Sequence, residues 1–243
     1  MNDKEVIRLL MFPYAGGSGL YYSHWSKYLD NHIKMIPIEL PGRGLRFKEP
    51  LCDDMNETIE HIWDSVKVEI VQGKYALFGY CVGTLIVYEL FKRIRQENLP
   101  EPSHCFLCAH PAPDVPRKGK AMSETTEEEL IDEWIRGSRI SRGELEKKSY
   151  LKSVYEVWKT DCAMIDKYCF KGEKEKFNCN ITLVNGRQET LFTQAEQESW
   201  RLFCTAECKN ILVDGAHDFM KTKVTSTVGF ITKQCWSCFF LIK

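Results

Sequence analysis

The chain has 243 residues, 44% of them hydrophobic and 28% charged, the composition of a globular protein near the upper size for one hydrophobic core. A formal net charge of −1 gives neither nucleic acid nor an anionic membrane surface a reason to bind by charge alone. No apolar run approaches the ~20 residues of a membrane span, and the polar start Met-Asn-Asp-Lys-Glu lacks the basic-then-apolar layout of a signal peptide.

In chain order, residues 6–12 and 34–38 read as β-strands. Ile59, Ile62, Trp63, Val66 and Ile70 then recur at helical spacing and form one apolar stripe. Further strands are expected at 75–79, 104–109, 181–185 and 210–213. From about 122 to 170 no strand signal occurs, and Ser123-Glu-Thr-Thr-Glu-Glu-Glu opens a charged helical stretch too long for an ordinary connection. The expected architecture is a single α/β domain over 1–243: a mostly parallel sheet with flanking helices and a helical insertion at 119–172. The insertion is expected to act as a lid, with a solvated helical hairpin as the alternative.

Gly79-Tyr80-Cys81-Val82-Gly83 follows the strand Tyr75-Ala-Leu-Phe and precedes the helical run from Thr84, which is the strand-turn-helix context of a nucleophile elbow. The helix N-terminus beneath the sulfur favours thiolate over thiol, so Cys81 is the candidate nucleophile. A buried structural cysteine in an ordinary turn is the alternative. His217, in Gly215-Ala-His-Asp-Phe after the last strand, is placed to serve as base. His24, His32 and His61 precede the elbow, His104 begins a strand, and His110 sits in a Pro-rich turn.

The base needs an acid, and two carboxylates qualify. Glu189 follows the fifth strand, which gives the nucleophile-acid-His order of α/β-hydrolases; Asp114, after the fourth strand, ends at the same sheet edge. Oxyanion donors are expected from the backbone N–H of Val82 and from Ala15 or Tyr14 in the turn Phe12-Pro-Tyr-Ala-Gly-Gly-Ser. That turn lacks both the P-loop ending and the Gly-x-Gly-x-x-Gly spacing of a dinucleotide fold.

Eleven cysteines, an odd number in a long chain without an export signal, suggest reduced thiols and a cytoplasmic location. Cys105/Cys108 and Cys235/Cys238 have zinc-like spacing, but the first pair falls in a strand, where positions three apart face opposite sides. No metal or cofactor is expected.

With these residues in place, the chain resembles the type II, or external, thioesterases of non-ribosomal peptide and polyketide synthesis. The likeness rests on Phe-Pro-Tyr-Ala-Gly-Gly-Ser at 12–18, Leu-Pro-Gly-Arg-Gly at 40–44, the elbow, Ala-Pro-Asp-Val-Pro at 112–116 and Thr-Asp-Cys-Ala-Met-Ile-Asp-Lys-Tyr at 160–168. It implies removal of acyl groups from the phosphopantetheine thiol of an acyl or peptidyl carrier protein, by a monomer, without nucleic acid or membrane. Carried over by position, the nucleophile falls on Cys81, the acid on Glu189 and the base on His217; the family's usual Ser and Asp are replaced. A cysteine keeps the acyl group activated, so a Dieckmann-type cyclase or acyltransferase is the alternative, in which Asp114 gains weight as the acid. A non-catalytic carrier-protein binder is the third possibility. Arg117, Lys118 and Lys120 are candidate contacts for an acidic carrier, or simply a solvated charged turn.

Overall fold

Parallel strands need long crossovers, and the helical stripes between these strand runs supply them. The computed structural model describes residues 6–138 and 140–240, the last five as helix backbone only. Six strands form one sheet: β1 (Ile7–Phe12), β2 (Ile33–Pro37), β3 (Tyr75–Tyr80), β4 (His104–Cys108), β5 (Asn180–Gly186) and β6 (Cys208–Val213). Their order is β2-β1-β3-β4-β5-β6, and every neighbouring pair is parallel. The helices are α1 (Met55–Ile70), α2 (Val82–Gln96), α3 (Glu127–Ser138), α4 (Arg142–Lys147), α5 (Ser149–Lys167), α6 (Gln194–Glu198), α7 (Phe219–Thr222) and α8 (Val224–Phe240).

Alternation along the central strands builds a core on each face of the sheet. Leu10, Phe12 and Leu77 pack with α1 and α2, while Leu9, Met11, Ala76 and Phe78 pack with Trp25 and α8. The predicted stripe Ile59, Ile62, Trp63, Val66 and Ile70 is buried throughout. Helix α1 starts four residues before Ile59 because Asp54 caps it, accepting from the N–H groups of Asn56 and Glu57. Cys105 and Cys108 enter opposite cores, so they cannot share a metal ion; Cys238 lies outside the described side chains.

The expected strands all form, with ends shifted by a residue or two. The largest change is in β6, which begins at Cys208 rather than 210; it is an edge strand whose residues are mostly half-buried, so its apolar signal is weak. Helices α3, α4 and α5 occupy the expected insertion. Leu130, Trp134, Leu145 and Tyr155 form a small core of their own there.

The strand order reverses direction between β1 and β3, and clefts at such a switch point lie beyond the strands' C-terminal ends. Both the turn after β1 and the turn after β3 open at that point.

Candidate active site

Cys81 lies between β3 and α2 with φ 56° and ψ −122°, a left-handed conformation that a side chain adopts only under constraint. Its N–H donates to the Cys108 carbonyl at 2.9 Å, and the Thr84 hydroxyl lies 3.1 and 3.0 Å from the carbonyls of Gly79 and Cys108. The flanking glycines are required by space. A Cβ on Gly79 would come 2.4 Å from the Gly83 carbonyl oxygen, and one on Gly83 2.4 Å from that of Phe12. The sulfur is therefore held at the head of α2, only partly exposed.

Two loops bring the other groups to it. A Cβ on Gly186 would sit 2.3 Å from the Gly215 carbonyl oxygen, so only glycine lets the loops after β5 and β6 touch. They are cross-tied by the Gln188 N–H donating to the Gly215 carbonyl at 3.0 Å and the Gly215 N–H donating to Gln188 Oε1 at 2.6 Å. This sets Glu189 Oε2 2.7 Å from His217 Nδ1. Glu189 Oε1 accepts the N–H groups of Thr190 and Leu191 at 2.8 and 2.9 Å, so both oxygens of a side chain only 3% exposed are satisfied. With Nδ1 turned to the carboxylate, Nε2 is left for the hydrogen bond that His217 makes with Cys81.

The charges follow from these contacts. Burial pushes the Cys81 thiol up, but the hydrogen bond and charge of His217, with backbone hydrogen bonds from Ala15 and Val82, outweigh it and leave the thiol below its ordinary value. Burial alone would lower His217; hydrogen bonds to Cys81 and Glu189 reverse this and push it up to about 10. Glu189 is raised by burial but ends below the usual carboxylate range because of His217 and the two loop N–H groups. Opposed shifts of this kind favour a thiolate beside an imidazolium.

Not every expected group joins this cluster. Asp114 ion-pairs with Lys174 at 2.6 Å and lines the same cavity, its carboxylate turned to that lysine rather than to His217. Ala15 supplies a backbone hydrogen bond to the sulfur, whereas the Tyr14 carbonyl closes the turn on the Gly17 N–H and its ring packs on Tyr21 and Tyr80. His110 Nδ1 faces the Pro111 carbonyl at 2.8 Å, and burial lowers its pKa to about 4. Arg117, Lys118 and Lys120 each already face a carboxylate, on Asp166, Glu196 and Glu129 respectively.

A cavity of about 480 Å³ opens over Cys81 and His217. Its walls come from residues 109–118, from Leu85, from Ile165, Tyr168 and Phe170 at the end of the insertion, and from Leu191 and Phe192. They are chiefly apolar, suited to an acyl chain.

Three residues near the site had no role assigned from sequence. Tyr80, whose hydroxyl donates to the His217 carbonyl and whose ring stacks on the imidazole, occupies the elbow position where the family resemblance leads one to expect His. Arg43 and Asp161 form a buried bidentate pair behind the Ala15 turn. Both belong to stretches that carried the family likeness, Leu-Pro-Gly-Arg-Gly and Thr-Asp-Cys-Ala, which was the available signal.

A parallel sheet with an elbow after β3, a carboxylate after β5 and a histidine after β6 defines an enzyme of the α/β-hydrolase fold. Residues 7–235 match the thioesterase domain family; the chain belongs to that family and is a hydrolase acting on thioesters. Linear gramicidin dehydrogenase LgrE of Brevibacillus parabrevis is 27% identical over 238 residues, covering 95% of this chain and 88% of its own length. Gramicidin S biosynthesis protein GrsT of Aneurinibacillus migulanus is 25% identical over 234 residues, covering 96% of this chain and 91% of its own length. The crystal structure of ClbQ from the colibactin NRPS/PKS pathway superposes with a TM-score of 0.88 at 24% identity, over 97% of this chain and 99% of that one, a likeness of fold.

Proposed function

We propose that this thioesterase hydrolyses acyl groups held as thioesters on the phosphopantetheine arm of an acyl or peptidyl carrier protein, through an acyl-enzyme on Cys81. The observation that carries this is the contact chain Cys81–His217–Glu189, with the thiol lowered and the imidazole raised to about 10. A thiolate attacks the thioester carbonyl, and the oxyanion takes hydrogen bonds from the Ala15 and Val82 N–H groups that otherwise face the sulfur. The carbonyl re-forms as the carbon–sulfur bond to the arm breaks, and His217 gives its Nε2 proton to the leaving thiolate.

Acylation also prepares the second half. The Cys81 contributions that hold His217 protonated vanish once sulfur carries the acyl group, so the neutral imidazole is available to take a proton from water. Hydroxide adds to the acyl carbon, the intermediate collapses to the free acid, and Cys81 leaves as thiolate. Glu189 holds the tautomer throughout. The insertion at 119–172 acts as the lid of the acyl cavity, and the peptide-antibiotic biosynthesis protein among the relatives supports a carrier-bound substrate.

The sulfur itself favours a second reading, release by ring closure or transfer, because the enzyme-bound thioester remains activated toward amines and stabilised carbanions. Incubation with a simple acyl thioester and with a β-ketoamide thioester, followed by mass spectrometry, separates the two. Free acid from both supports hydrolysis. A ring product from the second alone supports cyclisation, and no turnover of either contradicts both.

A further inference from the structure

We infer that Arg43 and Asp161 are positioning residues for the oxyanion turn, and that α5 is consequently a fixed part of the catalytic scaffold. This rests on the Cys81 mechanism above. The donor at issue is the Ala15 N–H, and the very next peptide is fastened from outside the turn. The Gly16 N–H donates to Asp161 Oδ2 at 2.7 Å, and Arg43 Nη1 lies 3.4 Å from the Gly17 carbonyl.

The fastening is rigid. Arg43 binds Asp161 through two bonds, Nη1 to Oδ2 at 2.6 Å and Nη2 to Oδ1 at 2.7 Å, and its Nε reaches the Pro41 carbonyl at 3.3 Å. Arg43 is 6% exposed and Asp161 fully buried, so neither charge has water to turn to if the other moves. One turn earlier on α5, Trp158 seals the same peptide: a Cβ on Gly16, at φ 75°, would lie 2.9 Å from Trp158 Cβ. Helix α5 therefore touches the oxyanion turn through both a charge and a ring. Helices α3 and α4 pack on α5 through the small core around Trp134 and Tyr155, which Trp158 also borders. Buried ion pairs contribute little net stability compared with apolar side chains of similar size, but a bidentate pair fixes direction.

The test compares two reactions of the same sulfur in the full chain. Acylation by a thioester needs the oxyanion donors; alkylation by iodoacetamide needs only the thiolate. In Asp161→Asn, which is nearly isosteric, single-turnover acylation is expected to slow on the order of 10-fold, and in the apolar double variant Arg43→Met/Asp161→Leu on the order of 10²-fold, as for a displaced oxyanion donor. The plateau rate of alkylation is expected to stay at the wild-type value, with only a small shift of its profile to higher pH because the Ala15 N–H also stabilises the thiolate. Acylation that keeps its rate in both variants, or that falls in step with alkylation, overturns the proposal. Wild-type protein that alkylates at Cys81 but never acylates there contradicts the underlying mechanism instead, which keeps the two failures apart.

Discussion

The reactivity of Cys81 depends on a proton that moves between two side chains. Because His217 stabilises the thiolate and Glu189 stabilises the imidazolium, the wild-type alkylation rate should reach its plateau at lower pH than that of an ordinary thiol of pKa ~8.5. Replacing Glu189 with Gln removes a contribution that raises His217, so the imidazolium titrates at lower pH and the thiol moves back up. The alkylation profile is expected to shift to higher pH, and acylation to slow on the order of 10²–10⁴-fold. The corresponding Asp114→Asn change should leave the profile in place, since Asp114 faces Lys174; a shift in that variant alone would reassign the acid. That Cys81, His217 and Glu189 come together at one sheet edge was legible in chain order and loop position. The support from Tyr80 and Asp161 was not, because Asp161 meets Arg43 across 118 positions and neither residue has a periodicity that marks a partner.

The elements show where pattern suffices and where it does not. Central strands β1, β3 and β4 are buried along their whole length, so their apolar runs gave near-correct bounds. Edge strands β2 and β6 carry half-exposed residues, and there the ends slipped. The elbow turn is legible because its constraint is steric and local: Gly83→Ala is expected to lower stability by at least about 1–3 kcal/mol, read as a fall in Tm, since the new Cβ meets backbone rather than a movable side chain. The insertion behaves differently, because its small core is separate from the two on the sheet. Trp134→Ala should speed proteolytic cutting within α3 and α4 while shifting the main unfolding transition little; a loss of global stability as large as for a sheet-core residue would contradict the division.

For the whole molecule, different histidines make stability respond to pH in opposite senses. His104 is buried, bonded to Thr182 Oγ1 at 2.8 Å, and burial lowers its pKa to about 4. Between about pH 6.5 and 4 the unfolded chain takes up a proton that the folded chain refuses, so stability falls as pH drops through that window, by up to about 3 kcal/mol for this group. Denaturant titrations should show the slope, and His104→Gln should reduce it, leaving the part that His110, likewise lowered by burial, contributes. His217 has the opposite sign. Its raised pKa contributes stability that is present below about 6.5 and is lost as pH rises toward 10. The sheet thus carries one histidine kept neutral in its core and another kept charged at its C-terminal edge, and the second is the one that meets the sulfur.

The most direct test of that arrangement is peptide mapping of the protein quenched in acid during turnover of an acyl thioester on a phosphopantetheine-loaded carrier protein. The mechanism predicts an adduct of the acyl mass on the peptide containing Cys81, decaying to free acid and absent in Cys81→Ala. An adduct that survives Cys81→Ala, or turnover with the acyl group mapped to another residue, would contradict it.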